Sequence, residues 1–284
     1  MTDHSKIVQT YEPDNCLKKG YGALFTEIAR EIAENRWLTW QLFKRDFVTM
    51  YKQSFIGIIW IFILPIVNVC TFLLLSRSGI FNIGDIPVAY PIYAILGMAF
   101  WQIFATGMIS CGNSLSSAGE MIMRINFSKK ALVLAAVGKP IISFSIQFIL
   151  VIVLFVIYQT KPSAGIFLAP LVIVPVILLT LGLGFIMALL NAIVRDTGSL
   201  LSIGMMLLMY LTPVLYAKPS TGLLAAATQL NPMYYFISAG RDLILTGTVH
   251  ELKGFIISSI LSLVIFVIGL LIFHLTETRI AERV

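Results

Sequence analysis

Apolar runs long enough to cross a bilayer begin only after Lys52. Residues 55–75, 91–112, 141–158 (with a start near Ala131), 166–192 and 254–273 each read as a spanning helix. About 20 apolar helical residues match a ~30 Å hydrocarbon core. Residues 200–216 are at the lower limit of that length and bring the expected spans to six. A weaker apolar stretch, 221–245, is broken by Asn231-Pro232, Gly240 and Arg241-Asp242. It reads as a helical hairpin that dips in from one face. Proline removes a backbone donor, and charges persist at depth only beside protein or water.

The chain before the first span has a different pattern. Over residues 21–35, Leu24, Ile28 and Ile32 recur every four positions, with Phe25 and Ala29 beside them. Glu27, Arg30, Glu31 and Glu34 fill the other face, which predicts an amphipathic helix lying in the membrane interface. Trp37, Trp40, Phe43 and Phe47 follow among Lys44, Arg45 and Asp46, a mixture suited to the headgroup layer. This piece reads either as a surface anchor or as an anchor that also touches a partner. Between two spans, residues 119–130 hold Met121, Ile122, Ile125 and Phe127 beside Glu120, Arg124, Lys129 and Lys130. Exposed methionine and phenylalanine need cover, from the membrane surface or from a partner. The chain therefore divides into an N-terminal segment (1–53), a six-span membrane domain (54–276) and a short tail (277–284). The expected fold class is an all-α polytopic membrane protein. No basic-then-apolar signal peptide precedes the first span.

Composition supports this division. Of 284 residues, 58% are apolar and 12% charged, about half the charge of a soluble domain. The mean hydropathy is +0.91, which excludes a soluble globule or a disordered chain. The net charge of +6 could suggest nucleic acid. With both termini cytoplasmic, however, only Arg77, Lys161, Lys218, Arg241 and Lys253 fall outside, so fifteen of the 20 basic residues lie inside. That is the positive-inside pattern, and it explains the basic charge without nucleic acid. Cys16, Cys70 and Cys111 are too scattered for a disulfide framework or a zinc site.

No catalytic constellation is visible. Gly138-Lys139 is followed by Pro140 rather than completing a phosphate loop, and His4, His250 and His274 are scattered. Apart from Lys139 and His274 near span ends, the expected spans hold no acid or base. Ion-coupled pumps need such groups as relays, so a transporter built on this chain would draw its energy from elsewhere. No metal or cofactor is expected in the chain. Asn68, Gln102, Asn113, Gln147 and Asn191 read mainly as hydrogen-bonding glue between helices. Tyr93, Phe100, Trp101, Phe104, Tyr210 and Tyr216 read either as belt and bulk or as a channel lining, since aromatic faces pack on the C–H faces of sugars. A membrane-embedded enzyme would need converging acids or histidines. Asp85, Asp242, His250 and Glu251 do not cluster convincingly along the sequence.

Several segments together resemble one family. Residues 38–47 (Leu-Thr-Trp-Gln-Leu-Phe-Lys-Arg-Asp-Phe) and 51–57 (Tyr-Lys-Gln-Ser-Phe-Ile-Gly), then Trp60 and Pro65, resemble the entry of bacterial ABC polysaccharide-exporter permeases. The likeness continues in residues 191–196 with Arg195-Asp196, in Thr212-Pro213-Val214, and in Asn231-Pro232-Met233 followed by Arg241. The polar start before Leu38 departs from the pattern. The resemblance implies a homodimer of six-span subunits in the inner membrane, above two ATP-binding subunits that hold ATP and Mg. Its cargo would be a lipid-linked polysaccharide such as O-antigen, teichoic acid or capsule. It also implies roles for particular residues. Glu120, Met121, Ile122, Arg124 and Phe127 would form a coupling helix seated in the ATPase, with Glu27 and Arg30 of the interfacial helix leaning on it. Asn231, Pro232, Tyr234, Tyr235 and Arg241 would belong to gate helices at the outer mouth. The cost of a charge in a weakly apolar stretch separately predicts that Arg241 faces the pore entrance or a neighbouring gate helix. A drug or lipid permease is the alternative within transport, and a glycan-modifying membrane enzyme the alternative outside it.

Overall fold

The computed structural model describes residues 21–52, 59–78, 84, 86–119 and 128–280. All regular structure among them is helical. The helices are α1 (Tyr21–Glu34), α2 (Arg36–Lys52), α3 (Trp60–Arg77), α4 (Tyr90–Gly112), α5 (Ser114–Ser117) and α6 (Lys130–Ala136). They continue as α7 (Gly138–Ile157), α8 (Ala169–Ile193), α9 (Asp196–Leu211), α10 (Gly222–Leu230), α11 (Pro232–Leu245) and α12 (Leu252–Ile280).

Among the described residues, four segments are long and apolar enough to cross a membrane: Tyr90–Gly112, Lys130–Ile157, Ala169–Ile193 and Leu252–Glu277. Two further apolar helices, Pro65–Leu75 within α3 and Asp196–Leu211, are shorter. The early start expected near Ala131 is observed, because α6 runs into α7 with a single interruption at Val137, just before Gly138 and Pro140. The segment expected over 200–216 is different. Its helix stops at Leu211, and residues 212–216 continue as buried, non-helical chain.

Helix α4 is the centre of the bundle. It is apolar on most sides, and those sides need cover, while a half-exposed stripe carries Gln102, Thr106 and Ser110. Helices α7 and α8 pack along it, and α9 and α11 cover it further. Ile92, Leu96, Phe100 and Ile103 consequently have no exposed surface. Helix α8 lies between α4 and α12. The outer faces of α7 and α12 stay apolar and exposed, for example at Ile152, Val156, Ile257 and Leu263. Such a surface suits lipid and not water.

The α8–α12 contact depends on two glycines. A Cβ on Gly269 would lie 2.1 Å from the Gly182 carbonyl oxygen, and one on Gly182 would lie 2.6 Å from the Phe266 backbone nitrogen. Small residues at such points let membrane helices approach backbone to backbone. Gly269→Ala is expected to force the pair apart at a cost of about 1–3 kcal/mol. The readout is a lower thermal unfolding midpoint in detergent; an unchanged midpoint would mean that the two helices separate freely.

Candidate functional site

Polar side chains gather at the two ends of this apolar bundle. At the hairpin end, the break between α10 and α11 is built locally. Asn231 is the N-cap of α11: its side-chain oxygen accepts the Met233 backbone N–H at 2.9 Å, and Pro232 takes the first helical position, where no donor is missed. The Asn231 amide also donates to the Thr212 hydroxyl at 2.7 Å, tying the hairpin to the chain leaving α9.

Arg241, nearly three turns further along α11, is 5% exposed. Its Nε donates to the Tyr93 carbonyl at 3.2 Å, Nη1 to the Pro213 carbonyl at 3.1 Å, and Nη2 to the Val214 carbonyl. The guanidinium also lies 3.7 Å from the centre of the Tyr93 ring. Irregular backbone inside a membrane protein is tolerated where protein satisfies it, and Arg241 does so for the 212–216 turn. Gly97 makes this possible, since a Cβ there would lie 1.8 Å from Nη2. Arg241 thus faces neighbouring chain and not an open entrance. Asp242, its neighbour in sequence, pairs instead with His250, whose Nδ1 lies 3.0 Å away.

The remaining hairpin residues also have intramolecular partners. Tyr235 donates to the Gln229 carbonyl at 2.9 Å and Tyr234 to Glu251 at 2.7 Å. Glu251 also accepts from Lys218 at 2.7 Å. Burial pushes the Glu251 carboxyl up, but the bonds from Lys218 and Tyr234 outweigh it and hold the group below its ordinary value. A depressed folded value contributes stability above the unfolded carboxylate value of about 4.3. That contribution is lost as pH falls through the folded value. Lys218→Ala is therefore expected to cost only about 0.2–1 kcal/mol at neutral pH, because the pair is partly exposed. The unfolding midpoints of wild type and variant should converge in acid, and a gap that persists there would exclude the ion pair as its cause.

The opposite end holds a buried charge cluster. Lys130, with no exposed side-chain surface, donates to Glu31 of α1 at 2.8 Å and to Glu277 of α12. Ser128 donates to the other Glu31 oxygen at 2.5 Å, and Lys129 to the Glu277 backbone carbonyl at 2.7 Å. Burial holds the Lys129 ammonium below the ordinary lysine value, against the pull of Glu277. His274 completes the cluster, with Nδ1 3.6 Å from Glu277. Glu31, His274 and Glu277 bring ligand atoms within 4.8 Å of one another. The Lys130 ammonium already bonds both carboxylates, so the trio does not fit a metal cation. The cluster joins the amphipathic helix, the chain directly after residue 127 and the end of the last helix. Ile28 of α1 is buried beside it, while Phe25, Trp37 and Trp40 stay exposed.

The coupling candidates Glu120, Met121, Ile122, Arg124 and Phe127 lie outside the described residues. Arg30 points away from the cluster and pairs with Glu34 at 2.7 Å, and Glu27 is half-buried. Among the channel candidates, Phe100, Trp101 and Phe104 are packed inside the subunit, whereas the half-exposed face of α4 carries Gln102, Thr106 and Ser110. Tyr216 is buried and donates to the Tyr210 carbonyl at 2.7 Å. Tyr93 lies under Arg241 and donates its hydroxyl to the Tyr216 carbonyl at 3.3 Å. Tyr210, half exposed on α9 with its ring stacked beside Phe72, is the most open of the six. Gly97, Glu31, Lys130, His274 and Glu277 were not singled out as site residues from the sequence. Their signal was faint: a lysine opening an apolar run, and acids at matching helix ends.

An apolar helical bundle whose charges are confined to its two ends, with several helices able to span, is a multi-pass membrane protein. Residues 38–245 match the ABC-2 type transporter family, and the chain belongs to it. It is 27% identical over 244 residues to the O-antigen export system permease protein RfbA of Klebsiella pneumoniae, covering 84% of this chain and 91% of that protein. It is 26% identical over 193 residues to the protein of the same name from Myxococcus xanthus, covering 66% of this chain and 72% of that one.

Proposed function

We propose that this chain is the membrane-spanning permease of an ABC exporter that moves a lipid-linked polysaccharide of O-antigen type across the bacterial inner membrane. The observation that carries the reading is the ABC-2 type transporter match over residues 38–245 in a chain with no phosphate loop. The O-antigen export permeases among its relatives point to the cargo. ATP and Mg belong to a separate ATPase. In this reading two permease copies stand on two ATPase subunits, both termini are cytoplasmic, and α3 and α9 serve as shorter first and fifth spans. The α1 end faces the ATPase, with residues 120–127 as the coupling segment and Glu27 and Arg30 beside it. Helices α10 and α11 gate the outer mouth. Tyr210 lines the conduit, and Tyr93, Phe100, Trp101, Phe104 and Tyr216 support its wall from behind.

The test is purification with and without the candidate ATPase. The complex is expected to hydrolyse ATP faster when lipid-linked glycan is added, and the chain alone to show no turnover. Turnover by the chain alone, or a complex indifferent to the glycan, would overturn the reading.

A further inference from the structure

Where α4 and α8 end and α9 begins, a cleft of about 580 Å³ opens between the three helices. Its wall includes Asn113, Ser116, Asn191, Arg195, Ser199 and Ser202, and no carboxylate among the described residues lines it. In a chain with 12% charged residues this concentration of polar groups stands out. Part of it is scaffold. Asn191, 3% exposed, donates to the Gly112 carbonyl at 3.0 Å and to the Asn113 side-chain oxygen at 2.9 Å. Its own oxygen accepts the Gly198 backbone N–H at 3.0 Å. One buried amide thereby pins three helix ends, and Gly198 is needed for it, since a Cβ would lie 2.7 Å from the Asn113 oxygen.

The groups left over are donors. The Asn113 oxygen is taken by Asn191, which leaves its NH2 group for the cleft. Among the described residues no carboxylate pairs with Arg195. The Ser199 hydroxyl has no partner there either. One guanidinium and neutral donors, with no opposing acid among the described residues, suit the oxygens of a phosphate ester. A second observation points to the rest of the ligand. The α9 face that starts with Ser199 and Ser202 continues one turn on as Met206, 61% exposed, and then Tyr210, 49% exposed. A polar cleft at a bundle end thus opens onto an apolar track along a membrane helix, the shape of an amphiphile.

We propose that this cleft is a phosphate site that receives the anionic headgroup of a lipid-linked substrate, its chain lying along α9. Arg195 supplies the cation and Asn113 and Ser199 the neutral hydrogen bonds. The identity of the amphiphile as the export cargo rests on the reading of the chain as a permease; the phosphate chemistry rests on the cleft.

The test uses the purified full-length chain in phosphatidylcholine nanodiscs, with empty nanodiscs as background. Dodecyl phosphate, dodecanol and inorganic phosphate are titrated separately. Dodecyl phosphate is expected to bind and dodecanol not to. Arg195→Gln should weaken dodecyl phosphate binding about tenfold or more, with Asn113→Ala also weakening it. Lys161→Gln, an exposed cation at the other end, should leave binding unchanged. Arg195 is exposed, and an unchanged unfolding midpoint for Arg195→Gln would show that the fold is intact. Equal binding by wild type and Arg195→Gln overturns the proposal. Inorganic phosphate binding as tightly as dodecyl phosphate also overturns it, in favour of a free-anion site. If the site binds as expected but the ATPase complex ignores lipid-linked glycan, the permease reading fails and the site stands. If the complex responds to glycan and Arg195→Gln changes nothing, the site fails and the permease reading stands.

Discussion

Arg241→Ala is expected to lower the thermal unfolding midpoint sharply and to shift much of the detergent-solubilised protein into aggregates. The guanidinium caps three backbone carbonyls, from Tyr93, Pro213 and Val214, at a place where it is 5% exposed. Each buried acceptor left unpaired costs about 1–3 kcal/mol, so the change should cost about 3–5 kcal/mol after partial relaxation. Arg241→Lys should recover less than half of the loss. An ammonium is a point charge and cannot span three acceptors as a planar fork does. Gly97→Ala should imitate the defect from the other side, because its Cβ would lie 1.8 Å from Nη2. Fluorescence-detected size exclusion and thermal unfolding read all three variants. A monodisperse Arg241→Ala protein with the wild-type midpoint would show that the 212–216 turn holds itself.

Lys130→Met should be the second severe change, at the opposite end. It removes the ammonium shared by Glu31 and Glu277, whose side chains are only 24% and 14% exposed. Two carboxylates then face each other with their cation gone. Breaking a buried pair in this way costs about 3–5 kcal/mol, whereas replacing the whole set by neutral isosteres is often tolerated. The triple variant Glu31→Gln, Lys130→Met, Glu277→Gln is therefore expected to be more stable than Lys130→Met alone. Hydrogen exchange should show α1 released in the single variant, because Glu31 is its charged tie to the bundle. If the triple variant is no better than the single one, the loss comes from packing around the lysine stem and not from charge.

These two residues also mark how far the sequence could be read. Helix positions were legible because bilayer length and hydropathy are local quantities. The expected segments 91–112 and 166–192 differ from α4 and α8 by only a few residues. The hairpin break was legible for the same reason, since Asn231-Pro232 is a cap followed by a residue that needs no donor. The amphipathic helix was legible as a four-residue repeat, and its buried Ile28 belongs to that stripe.

Which side of an apolar helix meets protein and which meets lipid was not legible. Both solvents are apolar, so no period in the sequence separates them. Phe100 and Trp101 could equally have faced a conduit, and it took the placement of α7 and α8 around α4 to bury them. The partners of the charges were hidden for another reason. Arg241 bonds backbone carbonyls, which every residue has, and one of them lies 148 positions away at Tyr93. Lys130 meets acids 99 and 147 positions away. The sequence alone determined that this chain is a helical membrane protein with nearly all its charges outside the long apolar segments. Tertiary structure decided which ends meet, because a buried charge is stable only beside its partner, and that juxtaposition exists only once the helices have packed.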